Sequence, residues 1–431
     1  MTRLLLSFTL CILGLWAYSQ ELQERSLHYY IEAANENSPL IKDIRNQSAI
    51  QQSELQRLKA IYTRSRLEVN GEYLFVPVIS KDGGKTSFKW NAQDGTDYYG
   101  YDLGESSGHF HAGLTWTQPV LGNSAYKVAQ EQNRIDIQMA DNNIRMEKHQ
   151  LERSVTEHYL LCLLDKIQIS FSDSVASLLE RQIDVVKRLA ASGLAKQSDV
   201  NLLRVESHSN EELLAASRQS YRSHLQDLNI LCGIDDDTQV NLSETNINSL
   251  SVPVYGNSSF VEKYRLDSLS AANSLRMFNQ QYKPRLDFFV NGGLQTSDYS
   301  NMYRHFGWSA GLTFSWTIYD GKQKKYKEHQ VKLQQNSIKN YKDNAEYARG
   351  VRIRQCLSEL SGFDERESLL NKQRSEYNDI LAAYEKELQA GQISVIDYIM
   401  VLRNKIQLER DYLLLKTNRQ LAVTAYNYWN W

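Results

Sequence analysis

Few residues in this 431-residue chain have types and spacing that could do chemistry. His109 and His111 share one face of an extended segment and could grip a metal ion. No third ligand lies near them in sequence, so a polar strand or loop position competes with that reading. Asp82-Gly83-Gly84-Lys85-Thr86 carries the glycine, lysine and threonine of a phosphate-cradling loop. Ile79 stands where that loop needs its first glycine, and no strand–loop–helix pattern surrounds it, so the segment reads as an ordinary loop. Six methionines are few for a copper-ligand path. No Ser-His-Asp, paired-carboxylate or HExxH constellation is recognisable, so the expectation is a non-enzyme without cofactor or metal. Beyond the N-terminal region the cysteines are Cys162, Cys232 and Cys356. They are odd in number and far apart, which gives neither a disulfide framework nor zinc spacing, and they read as buried, inert thiols. Asp199 lies six residues after Gly193, and Asp397 six after Gly391. An acid at that place suits the first turn of a helix, where it answers free N–H groups and the dipole.

Those glycines punctuate long helical patterns. Leu160, Leu164, Ile167, Phe171, Val175, Leu178, Gln182, Val186 and Leu189 advance by three or four residues, a sustained helix face with one polar member. The pattern stops at Ser192-Gly193-Leu194, where glycine can take the positive φ of a helix end, and resumes from about residue 198 to 231. In the C-terminal half, helix runs from Gly321 to Ala390-Gly391-Gln392 and then to the end. Gly122 to Gly193 is 71 positions and Gly321 to Gly391 is 70. Each such helix would be ~105 Å long at 1.5 Å per residue. Only 5 prolines interrupt the chain.

Four extended segments break this helical plan. Residues 306–318 alternate without a fault: Phe306, Trp308, Ala310, Leu312, Phe314, Trp316 and Ile318 against Gly307, Ser309, Gly311, Thr313, Ser315 and Thr317. Residues 285–295 place Leu286, Phe288, Val290 and Leu294 on one face, with Phe289 as an exception on the other. Residues 67–76 and 109–117 form a similar pair, separated by a long Gly-, Asp- and Tyr-rich loop. Two hairpins, each followed by a helix of matched length, predict an internal duplication. Segments 26–66, broken at Asn37-Ser38-Pro39, and 260–282 read as further helix.

Composition bounds the class. Charged residues are 23% and net charge is −2, which removes the basic footprint that nucleic acid requires. Mean hydropathy is −0.52, and no stretch beyond Gln20 could span a bilayer as a helix. Residues 1–19 combine Arg3, the apolar run from Leu4 to Trp16 and the small-x-small site Ala17-Tyr18-Ser19, which predicts a secretory signal peptide; a buried N-terminal helix is the competing reading. Cys11 suggests a lipoprotein box only weakly, because Leu10 precedes it. Aromatic residues near both ends of an apolar strand face, with small polar residues opposite, are the pattern of an outer-membrane barrel strand. Four strands are too few to close a barrel alone, so several chains would have to share one. A soluble sandwich, or a sheet covered by helices, competes with this reading.

The arrangement resembles the TolC family of outer-membrane efflux and secretion ducts. The resemblance rests on Asn37-Ser38-Pro39, KPRLDFFVNGG at 283–293, GLTWTQPVLGN at 113–123, GLTFSWTIYDG at 311–321, RLAASGLAKQSDV at 188–200 and ELQAGQISVIDYI at 387–399. It covers nearly all of the chain after residue 19. It implies a mixed α+β fold of mainly long α-helices, with an internal two-fold repeat. Three protomers would give four strands each to a 12-stranded transmembrane β-barrel continuous with a periplasmic α-helical barrel. The parts would be a first repeat over 20–232 (hairpin 66–118, helices 122–232), an equatorial linker over 233–260 and a second repeat over 261–431 (hairpin 285–318, helices 321–431). Implied partners are a homotrimer, outer-membrane lipid, a periplasmic adaptor and an inner-membrane RND, ABC or MFS transporter.

The resemblance also implies site roles. Gly193, Leu194, Gly391 and Gln392 would lie at the periplasmic tip and touch the adaptor. Asp397 and Asp199 would narrow the pore there. The family places a second acid three residues after the first, where this chain has Met400. The prototype's latch tyrosine and arginine are replaced by Leu388 and Ile393. Phe306, Trp308, Leu312, Phe314 and Trp316 would face lipid. A secreted structural coiled-coil protein with a β-sheet cap and no channel is the alternative function.

Overall fold

The computed structural model describes residues 24–75, 78–82, 85–89, 108–236, 240–250, 258–296, 303–304 and 306–431. The expected signal peptide at 1–19 lies outside the described residues. In chain order the elements are β1 (Glu24–Arg25), α1 (Leu27–Asn37), α2 (Pro39–Thr63), β2 (Arg66–Phe75), β3 (Val78–Asp82), β4 (Lys85–Lys89), β5 (Gly108–Pro119), α3 (Asn123–Ala191), α4 (Gln197–Cys232), β6 (Asn241–Leu242), α5 (Ser259–Asn279), β7 (Arg285–Thr296), β8 (Phe306–Ser315), α6 (Gln323–Gln389) and α7 (Val395–Trp429). The predicted helix ends at Gly193 and Gly391 fall within two residues of the observed ones. Two expectations change. Asp82 and Lys85 are Cα partners at the ends of the antiparallel strands β3 and β4. Lys85 and Thr86 thus begin a strand rather than the helix a phosphate loop needs. The strand expected over 306–318 ends at Ser315, opposite Arg285. Pro284 has no N–H to extend the ladder, and the Trp316 indole N–H instead donates to the Tyr282 carbonyl at 3.1 Å.

Two compact units form. The first takes residues up to Asn46, Asn142–Glu262 and Lys342–Trp431. One of its cores gathers Tyr30, Val155, Tyr159, Cys162, Leu228 and Leu242, all nearly or fully buried. The short parallel pair β1–β6 is held there by the Tyr159 hydroxyl, which donates to Ser243 O at 2.7 Å and lies 3.1 Å from Arg25 O. Cys162, Cys232 and Cys356 are free and buried, and burial pushes each thiol up, Cys232 to about 12. Such thiols stay protonated and unreactive at neutral pH. A second cluster is aromatic. His149 stacks between Tyr428, at 4.9 Å, and Trp431, at 4.1 Å. Phe260 packs edge-on against Tyr428, and Arg349 donates to Trp429 O at 2.8 Å.

The second unit takes Gln47–Asp141 and Lys263–Tyr341 and carries a four-stranded antiparallel sheet in the order β2-β5-β7-β8. Buried asparagines join its helices. Asn133 of α3 donates to Gln51 O of α2 at 2.8 Å, and Asn273 of α5 donates to Val128 O of α3 at 3.1 Å. Within the sheet, register aligns the apolar positions across all four strands. Leu67, Trp116, Val290 and Ala310 form one row; Val69, Leu114, Gly292 and Trp308 form the next. The opposite face carries Glu68, Thr115, Asn291 and Ser309, then Asn70, Gly113, Gly293 and Gly307. At Gly113 and Gly293 the polar face closes tightly: a Cβ on Gly293 would stand 2.4 Å from the Gly113 Cα. Ordinary antiparallel partners keep Cβ atoms about 4.5–5.5 Å apart. The two strands therefore approach closely on the polar side, and glycine is what permits it. The exceptional Phe289 also lies on this side, across Gly311, where a Cβ would meet its ring at 2.8 Å.

Two outcomes follow. Gly293→Ala should lose about 1–3 kcal/mol by chemical denaturation, since its new methyl meets backbone that cannot yield. Gly307→Ala, with no atom within 4 Å of the added Cβ, should stay near wild type. Burial lowers the His149 pKa, so the folded chain resists a proton that the unfolded chain accepts. The tyrosine and tryptophan rings face it, with Glu152 and Arg153 supplying the nearby charges. Stability linked to His149 is then complete above its unfolded pKa and is lost as pH falls through it. Melting followed from about pH 7.5 to pH 5.5 should drop less in His149→Gln than in wild type.

Candidate functional site

The sheet presents a large apolar surface that the chain leaves uncovered. Phe306 is 73% exposed, Trp308 78%, Leu312 62%, Phe314 61% and Trp316 54%. Leu67, Val69, Tyr73 and Leu114 are exposed on the same face. Trp116 and Phe288 meet edge to face across neighbouring strands, at 5.9 Å and 77°, and stiffen it. A contiguous patch of this size marks an interaction surface. Phe306 to Phe314 spans about 26 Å at the usual strand rise. An outer-membrane strand carries an apolar band of about 25 Å. On the polar face the Asn70 amide donates to Thr115 Oγ1 at 2.9 Å. His111 sits on that face opposite Glu72 and Gln295, half-buried. Among the described residues no group of three His, Cys, Asp or Glu side chains could hold a metal ion. No described helix is long and apolar enough to cross a membrane.

The first unit carries the two helix turns. Both helix ends close as Schellman motifs. Gly193 has φ +77°, with Gly193 N–H on Ala190 O at 3.0 Å and Leu194 N–H on Leu189 O at 2.9 Å. Gly391 has φ +68°, with Gly391 N–H on Leu388 O at 3.0 Å and Gln392 N–H on Glu387 O at 2.8 Å. The hairpins α3–α4 and α6–α7 share one core, in which Leu179, Val186, Leu203, Leu388, Tyr398 and Ile399 pack together. Leu194, Ile396 and Met400 stay exposed beside it.

Both aspartates belong to the first turn of a helix. Asp199 is the third residue of α4, and its carboxylate accepts the Lys196 N–H at 2.9 Å. Asp397 is the third residue of α7. Ser394 Oγ accepts its N–H at 3.2 Å, and the Ser394 hydroxyl donates to Asp397 Oδ2 at 2.7 Å. Asp199 thus takes part in its helix cap directly, and Asp397 does so through the cap residue Ser394. Sequence reasoning missed the links between helices. Glu206 of α4 pairs with Arg403 of α7. Glu409 accepts from Arg374 at 2.9 Å and from Lys405 at 2.5 Å, and the Arg374 guanidinium covers the Tyr412 ring at 4.0 Å. Arg374 and Lys405 hold the Glu409 carboxyl below its usual range, against the opposing pull of burial. Of these, the Lys405–Glu409 pair alone had a sequence signal, its i,i+4 spacing. A cleft of about 350 Å³ opens beside Glu206 and Arg403, with Leu179, Asn210, Ile399 and Arg410 also in its wall.

Solved structures share this architecture. CusC, whose structures follow folding and transmembrane channel formation, is 14% identical; the match covers 95% of this chain and 92% of that chain, with a TM-score of 0.72. The outer membrane protein VceC from Vibrio cholerae is 13% identical over 94% of this chain and 95% of that chain, with a TM-score of 0.73. The CmeC outer membrane channel of Campylobacter jejuni is 11% identical over 94% of this chain and 85% of that chain, with a TM-score of 0.70. No family profile matches the sequence, and no curated protein matches it. The chain therefore has the fold of outer-membrane channel proteins. That is the mainly helical fold with a few strands that the TolC-family resemblance implies.

The caps give a stability prediction. Ser394→Ala, which removes the acceptor of the Asp397 N–H, should cost about 1 kcal/mol. Asp397→Asn keeps an acceptor for the serine hydroxyl and should cost a few tenths. Thermal melting of the purified assembly compares the two.

Proposed function

We propose that this chain is the outer-membrane exit duct of an efflux or type I secretion system, a passive conduit rather than a catalyst. The exposed apolar face of the four-stranded sheet carries the reading. Strands β2 and β8 are the sheet's two edges. In lipid, open edges leave backbone groups unsatisfied, and closing the sheet removes them. Three copies would supply twelve strands, β8 of one beside β2 of the next. The apolar rows would meet lipid. Gly307, Ser309, Gly311, Thr313 and Ser315 would meet water in the lumen. The long helices would cross the periplasm as an α-helical barrel built from two related repeats. The fold shared with outer-membrane channels supports this reading, and the location it assigns is the outer membrane.

The turns at Gly193, Leu194, Gly391 and Gln392 would form the periplasmic tip that meets an adaptor. Exposed Leu194, Ile396 and Met400 offer apolar contacts for it. An inner-membrane RND, ABC or MFS transporter would deliver the substrate. Asp397, exposed at its cap, and Asp199 would set the charge of the constriction. The alternative, a secreted coiled-coil protein with a sheet cap, is not favoured, because it gives the aromatic strand face no occupant.

Membrane fractionation and detergent-dependent size test the proposal; a trimer extracted from the outer membrane is expected, and a soluble monomer would refute it. The charge role has its own test in planar bilayers. Asp397→Asn should weaken block by divalent cations and shift selectivity away from cations, while its melting stays close to wild type. Single-channel records identical to wild type would remove Asp397 from the constriction.

A further inference from the structure

The segment that follows β8 breaks a charge rule. Residues 318–329 read IYDGKQKKYKEH. Lys324, Lys325 and Lys327 stand in the first turns of α6, and Lys322 immediately precedes it with φ +71°. Cations at a helix N-terminus oppose the macrodipole, and the first turn of α6 holds no acid. One carboxylate, Asp320, stands against these four cations. Asp320 accepts the Lys322 N–H and the Lys324 N–H, each at 2.9 Å, and the Tyr282 hydroxyl. It thus answers backbone and tyrosine, leaving the lysine ammonium groups outward. Among the described residues none of these four lysines has an ion-pair partner. Lys322, Lys324 and Lys325 are exposed, and Lys327 is half-buried.

The surroundings are aromatic and apolar. Trp316 is 54% exposed, Ile318 82%, Tyr319 78% and Tyr326 62%. Trp316 and Ile318 continue the period of the apolar face of β8 past the end of the strand. Lys324 lies over the Tyr282 ring at 5.9 Å, and Trp316 donates to the carbonyl of that same tyrosine. In order along the chain there are an apolar band, an amphipathic aromatic pair and then a cluster of cations. That is the sequence of environments from hydrocarbon through interface to lipid phosphate.

We infer that Lys322, Lys324, Lys325 and Lys327, with Trp316 and Tyr319, form a collar that binds the phosphate headgroups of anionic phospholipid at the foot of the sheet. The inference rests on the channel reading, because it needs the apolar face in lipid. Charge complementarity and continuity with that face select a lipid surface over a free anion. The collar belongs to the second hairpin; after β5 the matching segment TQPVLGNSAYK has a single lysine, Lys127.

The full chain, purified in mild detergent and stripped of lipid, tests this by native mass spectrometry. Phosphatidylglycerol and phosphatidylcholine are offered together. Wild type should retain phosphatidylglycerol over phosphatidylcholine by roughly tenfold or more. The variant K322Q/K324Q/K325Q/K327Q should bring that ratio near unity, whereas arginine at all four positions should keep it. Equal retention of the two lipids by wild type, or an unchanged preference in the glutamine variant, overturns the collar. Displacement of phosphatidylglycerol by soluble glycerol phosphate would reduce it to an anion site and also overturn it. Should the glutamine variant not assemble, the doubles K322Q/K324Q and K325Q/K327Q must each lower the ratio. Failure of wild type to enter bilayers would refute the channel reading instead. Normal insertion and conductance with no lipid preference would refute the collar alone.

Discussion

The backbone groups along the two edges of the sheet govern what this chain can be. Among the described residues, β2 pairs only with β5 and β8 only with β7, so each edge strand has a side of N–H and C=O groups that this sheet does not satisfy. In water those groups cost little. Beside an apolar face that includes Phe306, Trp308 and Phe314, water is what the surface works to exclude. An unsatisfied amide in an apolar medium costs several kcal/mol. Ten paired positions hold β7 to β8, and an edge of comparable length would leave a penalty that no side chain could offset. Closure with further strands removes the problem. Edge and face therefore support the proposed assembly by separate routes.

The helical unit solves a different problem with local means. A helix of 69 residues is far beyond the length that propensity alone makes reliable, so packing and termination must both be specified. Packing comes from the shared core of the two hairpins, where Tyr398 and Ile399 meet Leu179 and Val186. Termination comes from a glycine at positive φ on one side of each turn and an acid at the third helical position on the other. Polar links then fix which helix meets which. Glu206 with Arg403, and Glu409 with Arg374, lie across helix pairs and resist sliding along otherwise similar apolar stripes. The Glu206–Arg403 pair, exposed on its arginine side, adds little stability, so its value lies in register; Glu409 and Arg374 are half-buried.

What the sequence made legible follows this division. Glycines, acids and apolar periods act within a few residues, and they placed the long helix ends to within two positions. The alternation at 306–318 gave the face of β8 and its lipid-facing candidates, because period two is enforced by the backbone itself. It overran the strand by three residues, since Trp316 and Ile318 keep the period for the sake of their surroundings after Pro284 has ended the ladder. The β3–β4 pair was hidden by its short strands. The stack of His149 between Tyr428 and Trp431 joins residues far apart in the chain. So does Glu206 with Arg403, 197 positions apart. No local period encodes such pairs. Phe289 looked like a fault in the pattern of β7, and its reason, the empty space over Gly311, exists only once the strands are paired.

The capping of Asp397 bears on the proposed constriction more sharply than a choice between two roles would suggest. A cap consumes hydrogen-bonding capacity, not charge. The Ser394 hydroxyl takes one oxygen of the carboxylate, Oδ2, and leaves its charge in place. The same exchange holds the side chain in one rotamer at the first turn of α7. A group that narrows a passage by charge must be fixed in place, because a mobile carboxylate would swing away from the ion it is meant to meet. Capping therefore positions the charge instead of competing with it. Asp199 is arranged by a backbone N–H from Lys196, with no hydroxyl between. The two acids share a position in their helices but not a partner. The proposed ring of charge at the tip would then be set by one acid held by a serine and one held by the chain itself.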